Sequence, residues 1–285
     1  MQITVMSGKG GTGKTTIATN MALSLQGVQF IDADVEEPNS AIFLQPELSE
    51  EEKIVWRNIP EIDHDKCNRC RECIDFCEYN ALAVLGEKLY VYPELCGSCG
   101  GCKIICPEDA ISDKKRQVGK INWGKINARD DCDSMEFWQG EMTIGEASAV
   151  PLIEELKKEI DEERTVIIDA PPGASCSVIE SAVNSDFILL VTEPTPFGLH
   201  DLKIAVELAE KLDIPYGVII NRSDPVGDEI IEDYCQDKHI KILLKIPFSR
   251  KIAVLYSRGK PFVKEMKEWR EKFVDLMADI EGITA

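Results

Sequence analysis

The sequence predicts an α/β fold: a mostly parallel β-sheet with helices on both faces, plus a small inserted α+β domain. Three observations support this prediction. A glycine-rich loop lies between an apolar run that predicts a strand, Ile3–Met6, and a run that predicts a helix, Thr15–Leu25. Later apolar runs end in acidic residues, as parallel strands often do at a ligand site. A cysteine-rich stretch then interrupts the pattern and predicts the insert.

The glycine-rich loop at residues 8–15 fits G-x-x-x-x-G-K-[ST] between a strand and a helix. Glycines let backbone N–H groups turn inward around a triphosphate, because a Cβ would block the approach. Lys14 would add positive charge at the phosphates, and Thr15 would offer a hydroxyl to Mg²⁺. The alternative is a glycine-rich turn that binds nothing. The candidate nucleotide-binding residues here are Gly8, Lys9, Gly10, Gly11, Thr12, Gly13, Lys14, Thr15 and Thr16.

Lys9 places a second lysine directly after the first glycine. The form K-G-G-x-G-K-[ST] resembles the deviant Walker A motif of the MinD/ParA/Mrp ATPases, a family that includes the nitrogenase iron protein. The resemblance implies ATP and Mg²⁺ as ligands, with catalytic roles for Lys9 and Lys14. It also implies a homodimer in which Lys9 reaches the partner's nucleotide.

Two acidic residues follow the predicted strand Val28–Ile31. The resemblance implies that Asp34–Asn39 is switch I, that Asp34 orients the attacking water and that Asp32 supports Mg²⁺ through water. The alternative is a pair of acids that cap the next helix.

A third acid follows the predicted strand Thr165–Ile168, in the sequence Asp-Ala-Pro-Pro-Gly. This segment resembles the family's Walker B and switch II. The resemblance implies that Asp169 has a catalytic role and holds Mg²⁺ through water. It also implies that the backbone at Gly173 can approach the γ-phosphate. The alternative is an ordinary acid at a strand end.

The cysteine-rich stretch contains C-x₂-C-x₂-C-x₃-C twice, 29 residues apart. This spacing matches the bacterial two-cluster ferredoxin run, in which the fourth cysteine of each motif ligates the other cluster. The rule assigns one [4Fe–4S] cluster to Cys67, Cys70, Cys73 and Cys106, and the second to Cys77, Cys96, Cys99 and Cys102. A pair of zinc sites is the alternative, although zinc does not need a third cysteine at this spacing.

These motifs divide the chain into an ATPase domain, residues 1–59 and 117–285, and an inserted ferredoxin domain, residues 60–116. Within the insert, Ala81–Leu85 and Leu89–Tyr92 predict a hairpin. Its clusters would stabilise so small a domain more than a core would.

The rest of the chain continues the α/β pattern. It predicts helices over Ile144–Ile160 and Leu199–Leu212, and strands over Phe187–Thr192, Gly217–Ile220 and Ile242–Ile246. The resemblance places base recognition at Asn221, Arg222 and Pro247. Residues 221–224 also resemble the Asn-Lys-x-Asp motif of GTPases, so GTP is the alternative, while Lys9 favours ATP.

A last amphipathic helix is predicted over Phe262–Ile280. MinD proteins attach to membranes through such a C-terminal helix. Between Lys260 and Glu281, however, there are five basic and six acidic residues, whereas an anionic membrane surface favours a basic face. We therefore predict that this helix packs on the ATPase core.

Composition bounds the partners and the compartment. Acidic residues outnumber basic ones 51 to 32, so polyanions such as nucleic acid or an anionic membrane are not expected partners. The sequence predicts a cytoplasmic protein whose cysteines bind metal. Of the other cysteines, 132, 176 and 235, the resemblance to the nitrogenase iron protein suggests a subunit-bridging cluster at Cys176; the alternative is a small buried residue.

Three functions fit these motifs. The leading hypothesis is an ATPase whose nucleotide state gates electron transfer through two [4Fe–4S] clusters to a redox protein partner. The second is an assembly ATPase that carries an iron–sulfur cluster or metallocofactor to an apo-protein. The third is a MinD-like positioning ATPase that uses its clusters as a redox sensor.

Overall fold

The computed structural model describes residues 1–126 and 134–284. Its strands are β1 Gln2–Met6, β2 Val28–Asp32, β3 Glu47–Leu48, β4 Lys53–Ile62, β5 Leu82–Leu85, β6 Lys88–Val91, β7 Ile111–Ile126, β8 Met135–Met142, β9 Thr165–Asp169, β10 Phe187–Thr192, β11 Tyr216–Ser223 and β12 Ile242–Pro247. Its α-helices are α1 Lys14–Ser24, α2 Ser40–Leu44, α3 Glu72–Phe76, α4 Gly101–Ile105, α5 Val150–Lys157, α6 Cys176–Ala182, α7 Pro196–Leu212, α8 Glu229–Asp237, α9 Arg250–Ser257 and α10 Glu268–Thr284.

One large sheet organises the described residues. Its order is β12-β11-β10-β1-β9-β2-β8-β7-β3, with β4 also paired to β7. Pairing is parallel from β12 to β8 and antiparallel from β8 onward. Buried residues of α1 and α10 form a core on one face, while those of α6, α7 and α8 form a core on the other. The predicted α/β fold is confirmed.

The C-terminal helix packs against α1, as predicted. Trp269, Phe273 and Ile280 are buried in the same core as Ile17. The helix begins at Glu268 rather than Phe262, because Phe262–Lys264 forms a 3₁₀ turn that sets the Phe262 ring edge-on to Trp269. Across residues 1–126 and 134–284, we find no helix with the length and apolar character needed to span a bilayer.

The helix predicted over Ile144–Ile160 was wrong at its start, since α5 begins at Val150. Ile144 is 100% exposed and Gly145 has a φ of +87°, so the chain turns away from a helical path there. The Glu146 side chain, in contrast, is buried between two arginines.

The predicted insert is carried by a two-stranded ribbon. Strand β4 pairs antiparallel with β7 from Lys53 opposite Ile121 to Ile62 opposite Ile111, so both predicted domain boundaries lie inside strands. Beyond the ribbon, the predicted hairpin is present as β5 and β6. A small cluster of Cys73, Leu82, Leu89 and Ile111 forms the local core.

Candidate functional site

The carboxyl ends of β1, β2, β9, β11 and β12 converge on one cleft of about 360 Å³. Parallel strands place their carboxyl ends at one edge, where open α/β sheets bind ligands. The sequence-predicted residues that line the cleft are Lys9, Gly10, Gly11, Gly13, Lys14, Thr15, Thr16, Asp34, Asn221, Arg222 and Pro247. Five other predicted residues do not line the cleft and lie in the loop or beside it: Gly8, Thr12, Asp32, Asp169 and Gly173.

Gly13 holds the loop at the start of α1. Its φ is +92°, and a Cβ there would lie 2.3 Å from Nδ2 of Asn221. That nitrogen donates to the carbonyl oxygen of Thr12 at 2.7 Å, so Asn221 braces the loop in this structure. Behind the loop, a Cβ on Gly8 would lie 2.3 Å from the carbonyl oxygen of Asp201. The loop therefore depends on glycine at both positions for packing as well as for ligand approach.

A buried ion pair joins Lys14 to Asp169. Lys14 Nζ lies 2.6 Å from Asp169 Oδ1, and both side chains are buried. The other carboxylate oxygen of Asp169 accepts from Oγ of Ser40 at 3.3 Å. Asp32 is also buried and accepts from the backbone N–H groups of Ser40 at 3.0 Å and Asp34 at 3.2 Å. The predicted switch I segment, Asp34–Asn39, lines the same cleft as the glycine-rich loop through Asp34, Glu37 and Asn39.

These carboxylates carry more negative charge than Lys14 balances. Burial, together with the charge of Asp169, raises the pKa of Asp32 to about 7. Burial also raises the pKa of Asp34 to about 6. Carboxylate and hydroxyl oxygens suit Mg²⁺, and a divalent cation would relieve this repulsion. Thr15, Asp32 and Asp169 are the residues fitted to hold it.

Two further site residues are held by ion pairs. Lys9 Nζ lies 3.8 Å from Oδ2 of Asp201, and the Lys9 side chain is 36% exposed. An exposed pair at that distance is weak, so Lys9 can leave it for another anion. Arg222 has a φ of 54° and pairs with Glu193, which directs its guanidinium along the cleft wall.

Gly173 lies next to Ser7, the residue that follows β1. Its N–H donates to the carbonyl oxygen of Ser7 at 3.0 Å, and its φ of +95° requires glycine. A larger residue at this position would therefore strain the turn that follows Asp169.

The cleft has an apolar wall, of which the sequence predicted only the part within residues 247–250; Ile252 and Tyr256 were missed. It is formed by Phe248, Ile252 and Tyr256, which follow β12. The signal available was the short apolar run after Pro247, which sequence alone does not distinguish from core. Asp224, the residue that a GTPase would use to read guanine, turns its carboxylate into its own loop, where it accepts from Val226 and Gly227 at 3.1 Å each. Asp224 is not among the residues that line the cleft.

The eight motif cysteines line two separate cavities. The first cysteine set, Cys67, Cys70, Cys73 and Cys106, lines one cavity. The second cysteine set, Cys77, Cys96, Cys99 and Cys102, lines the other. Each set takes three cysteines from one motif and the fourth from the other motif.

Aromatic rings and backbone donors support both sets. A Cβ on Gly97 would meet the Tyr79 ring, and one on Gly101 would meet the Phe76 ring, so each ring of the first motif packs on a glycine of the second. Backbone N–H groups reach the sulfurs of Cys77, Cys96 and Cys106 at 3.3–3.4 Å. Such donors stabilise thiolates and tune cluster potentials.

The thiols of the two sets are spread around their cavities. Within residues 1–126 and 134–284, no three His, Cys, Asp or Glu side chains converge closely enough to hold one metal ion. Burial raises the pKa of Cys73 to about 11, so a positive centre is needed to hold its thiolate.

The remaining cysteines differ in exposure. Cys176 is exposed at the start of α6, seven positions after Asp169. Cys235 is buried in the core and has the character of a packing residue. Cys132 lies outside the described residues.

Comparison with known families and proteins agrees with this geometry. A model described as the CobQ/CobB/MinD/ParA nucleotide binding domain matches residues 3–262. An uncharacterised protein of Methanocaldococcus jannaschii is 31% identical over 274 residues, covering 93% of this chain and 92% of its own length. A Pyrococcus horikoshii protein named iron-sulfur cluster carrier protein is 25% identical over 316 residues, covering 99% of this chain and 88% of its own length.

Solved structures show the same fold. The MinD cell division protein of Aquifex aeolicus superposes with a TM-score of 0.58 at 18% identity, covering 99% of this chain and 97% of its own. The septum site-determining protein MinD of Pyrococcus horikoshii, complexed with Mg-ADP, superposes with a TM-score of 0.56 at 18% identity, covering 100% and 98%.

Proposed function

Because the chain belongs to the CobQ/CobB/MinD/ParA nucleotide-binding family, we propose that it is an ATPase whose nucleotide state gates electron transfer to a protein partner through two [4Fe–4S] clusters. The observation that carries the proposal is the joining of two sites in one chain. A P-loop cleft lies at the sheet edge, and two four-cysteine cavities lie on a ribbon that extends from the same sheet.

The nucleotide chemistry rests on residues around the cleft. Lys14, which Asp169 holds in place, would exchange this partner for the β- and γ-phosphates and neutralise charge on the transferred phosphoryl group. Lys9 would reach the nucleotide of a second subunit in a homodimer. Asp34 borders the cleft and would orient the attacking water. ATP is favoured over GTP because Asp224 is engaged with its own loop.

The insert supplies the second chemistry. The first and second cysteine sets would each hold one cluster, and each bound cluster would accept and release one electron. The backbone N–H groups of Ala81, Ser98 and Ala110 would stabilise the ligating sulfurs. Cys99 and Cys70 are exposed, so both sets approach the surface where a redox partner would dock.

A potentiometric titration of the cluster-loaded protein tests this proposal. We expect Mg-ATP or a non-hydrolysable analogue to shift at least one cluster potential by about 60 mV, a tenfold change in a one-electron equilibrium. Equal potentials and equal transfer rates with and without nucleotide would defeat electron gating.

A second function is supported by one further pair of observations. Three Pyrococcus relatives, each 25% identical, are named iron-sulfur cluster carrier protein. Cys176 is exposed beside switch II. The protein would then deliver a cluster to an apo-protein, and Cys176→Ser would abolish transfer while the eight motif cysteines stay loaded. Transfer that is unchanged in Cys176→Ser would exclude a carrier that uses this residue.

A further inference from the structure

A short loop between β8 and α5 joins switch I to the insert. At one end, the N–H of Met142 donates to the carbonyl oxygen of Val35 at 2.8 Å, and Val35 directly follows Asp34. A Cβ on Gly140 would also lie only 2.5 Å from a methyl carbon of Val35, so β8 and switch I are in close contact. A displacement of switch I therefore acts on the end of β8.

Four residues after Met142, in the middle of this loop, lies Glu146. The Glu146 side chain is only 1% exposed, and its carboxylate accepts from Nε of Arg57 at 2.9 Å and from Nε of Arg116. Arg57 and Arg116 stand opposite each other on β4 and β7, the ribbon that carries the insert. Because a buried carboxylate needs its cations, Glu146 and the ribbon must move together.

Arg57 extends the connection to the second cysteine set. Its Nη1 donates to the carbonyl oxygen of Cys96 at 2.5 Å and to Oγ of Ser98 at 3.2 Å. Its Nη2 donates to the carbonyl oxygen of Pro93 at 2.7 Å. One planar guanidinium thus binds Glu146 on one side and the backbone around Cys96 on the other, a geometry that lysine cannot reproduce. The polar contacts of Arg57 run to the second set and to none of the first-set cysteines in the described chain.

We propose that Glu146, acting through Arg57, is the positioning residue that transmits nucleotide state from switch I to the second cysteine set. This inference rests on the proposed function and names the path for its gating. The path is Val35, Met142, Glu146, Arg57 and Cys96, and each step is a hydrogen bond, an ion pair or a few residues of chain. The path reaches the second set through Arg57 and includes no cysteine of the first set.

Hydrogen exchange measured by mass spectrometry tests the path. The full-length, cluster-loaded protein is compared without nucleotide and with Mg²⁺ and a non-hydrolysable ATP analogue. In the wild type, we expect nucleotide to change amide exchange in residues 93–98 by about threefold or more. In Glu146→Gln, nucleotide affinity and iron content remain near wild type, and this exchange response is lost. The potential of the second cluster also ceases to respond to nucleotide.

The matched control is Glu141→Gln, the same change on β8, five residues before Glu146. Glu141 is 53% exposed and pairs only with Lys120 among its described ion-pair partners, so this variant should keep the full response. Arg57→Lys preserves the positive charge but not the planar guanidinium with its N–H donors, so it should also lose the response. This variant replaces Glu146→Gln in the test if Glu146→Gln does not fold.

The inference is overturned if both Glu146→Gln and Arg57→Lys keep the wild-type response, or if nucleotide leaves residues 93–98 unchanged in the wild type. Failure of the proposed function is distinct, because it would appear as wild-type cluster potentials and transfer rates that nucleotide leaves unchanged. The exchange response of residues 93–98 is measured independently of those potentials.

Discussion

Lys14 and Asp169 form a buried ion pair in which Nζ lies 2.6 Å from Oδ1. The lysine expected on the phosphates is thus held by the acid expected on Mg²⁺. The second oxygen of Asp169 accepts a hydrogen bond from Ser40, which directly follows the predicted switch I segment. If Lys14 binds the phosphates as predicted, it has to leave Asp169 when Mg-nucleotide enters, and this change of partners would act on Ser40 through Asp169.

The first prediction concerns Lys14 itself. Lys14→Gln removes the positive charge from the loop, so we expect nucleotide affinity to fall by about 100-fold or more, on the order of 2.7 kcal/mol. Isothermal titration calorimetry with Mg-ADP measures this change. An affinity within threefold of wild type would show that the loop does not bind phosphate through Lys14.

The second prediction separates the two lysines. Lys9 is half-exposed and only weakly paired with Asp201, so Lys9→Ala should leave Mg-ADP affinity nearly unchanged. We expect the same variant to lose ATP hydrolysis and ATP-dependent dimerisation, measured by phosphate release and sedimentation velocity. A variant that hydrolyses ATP normally as a monomer would refute the role of Lys9 across a dimer interface.

The third prediction follows from the raised pKa of Asp32. The pKa of this carboxyl is about 7 in the folded protein and near 3.8 when unfolded, so the folded state binds more protons between these values. The free energy of unfolding should therefore fall as pH rises from about 4 to 7. Asp32→Asn removes this contribution. The melting midpoint of the variant minus that of the wild type should therefore rise by about 2 °C or more from pH 5 to pH 8, in the absence of metal and nucleotide. A constant difference across this range would contradict burial of a protonated Asp32.

The fourth prediction tests whether the fourth cysteine of each motif ligates the cluster held by the other motif. Cys106→Ser should remove the same electron paramagnetic resonance signal as Cys70→Ser, because both line the first cavity. Cys77→Ser should remove the same signal as Cys99→Ser, because both line the second. The control is Cys235→Ser, a core position that should keep both signals. If Cys77→Ser instead matched Cys70→Ser, each motif would hold its own cluster.

The fifth prediction tests the packing of α10. Phe273 is 0% exposed, so Phe273→Ala should lower the free energy of unfolding by about 3–5 kcal/mol. Val274 is the adjacent residue and is 47% exposed, so Val274→Ala should change it by less than about 0.5 kcal/mol. Chemical denaturation measures both, and equal effects would contradict the burial of one helix face.

Sequence patterns predicted the central strands because those strands are buried on both faces and read as apolar runs. They did not predict β7, whose lysines and arginines lie on a half-exposed ribbon and whose glycines weaken the strand signal. Gly119 and Gly124 are needed there, because a Cβ would lie 2.5 Å from Glu141 and 2.3 Å from Glu47 backbone oxygens. At these two positions close packing requires glycine, but glycine weakens the sequence pattern that predicts a strand.

The site shows a similar division. The loop and the acids at strand ends are local motifs, and sequence alone located them. The Lys14–Asp169 pair and the Glu146 carboxylate between two arginines join residues far apart in the chain. Periodicity assigned Glu146 to a helix, because no local pattern reports an ion pair with another strand.

The most direct test of the account is to count iron and acid-labile sulfide in protein prepared without oxygen, with electron paramagnetic resonance on the reduced sample. We expect about eight iron and eight sulfide ions per chain, with the spectrum of two [4Fe–4S]⁺ clusters and no stoichiometric zinc. Zinc at two ions per chain, or iron that remains after all eight motif cysteines are changed to serine, would contradict it.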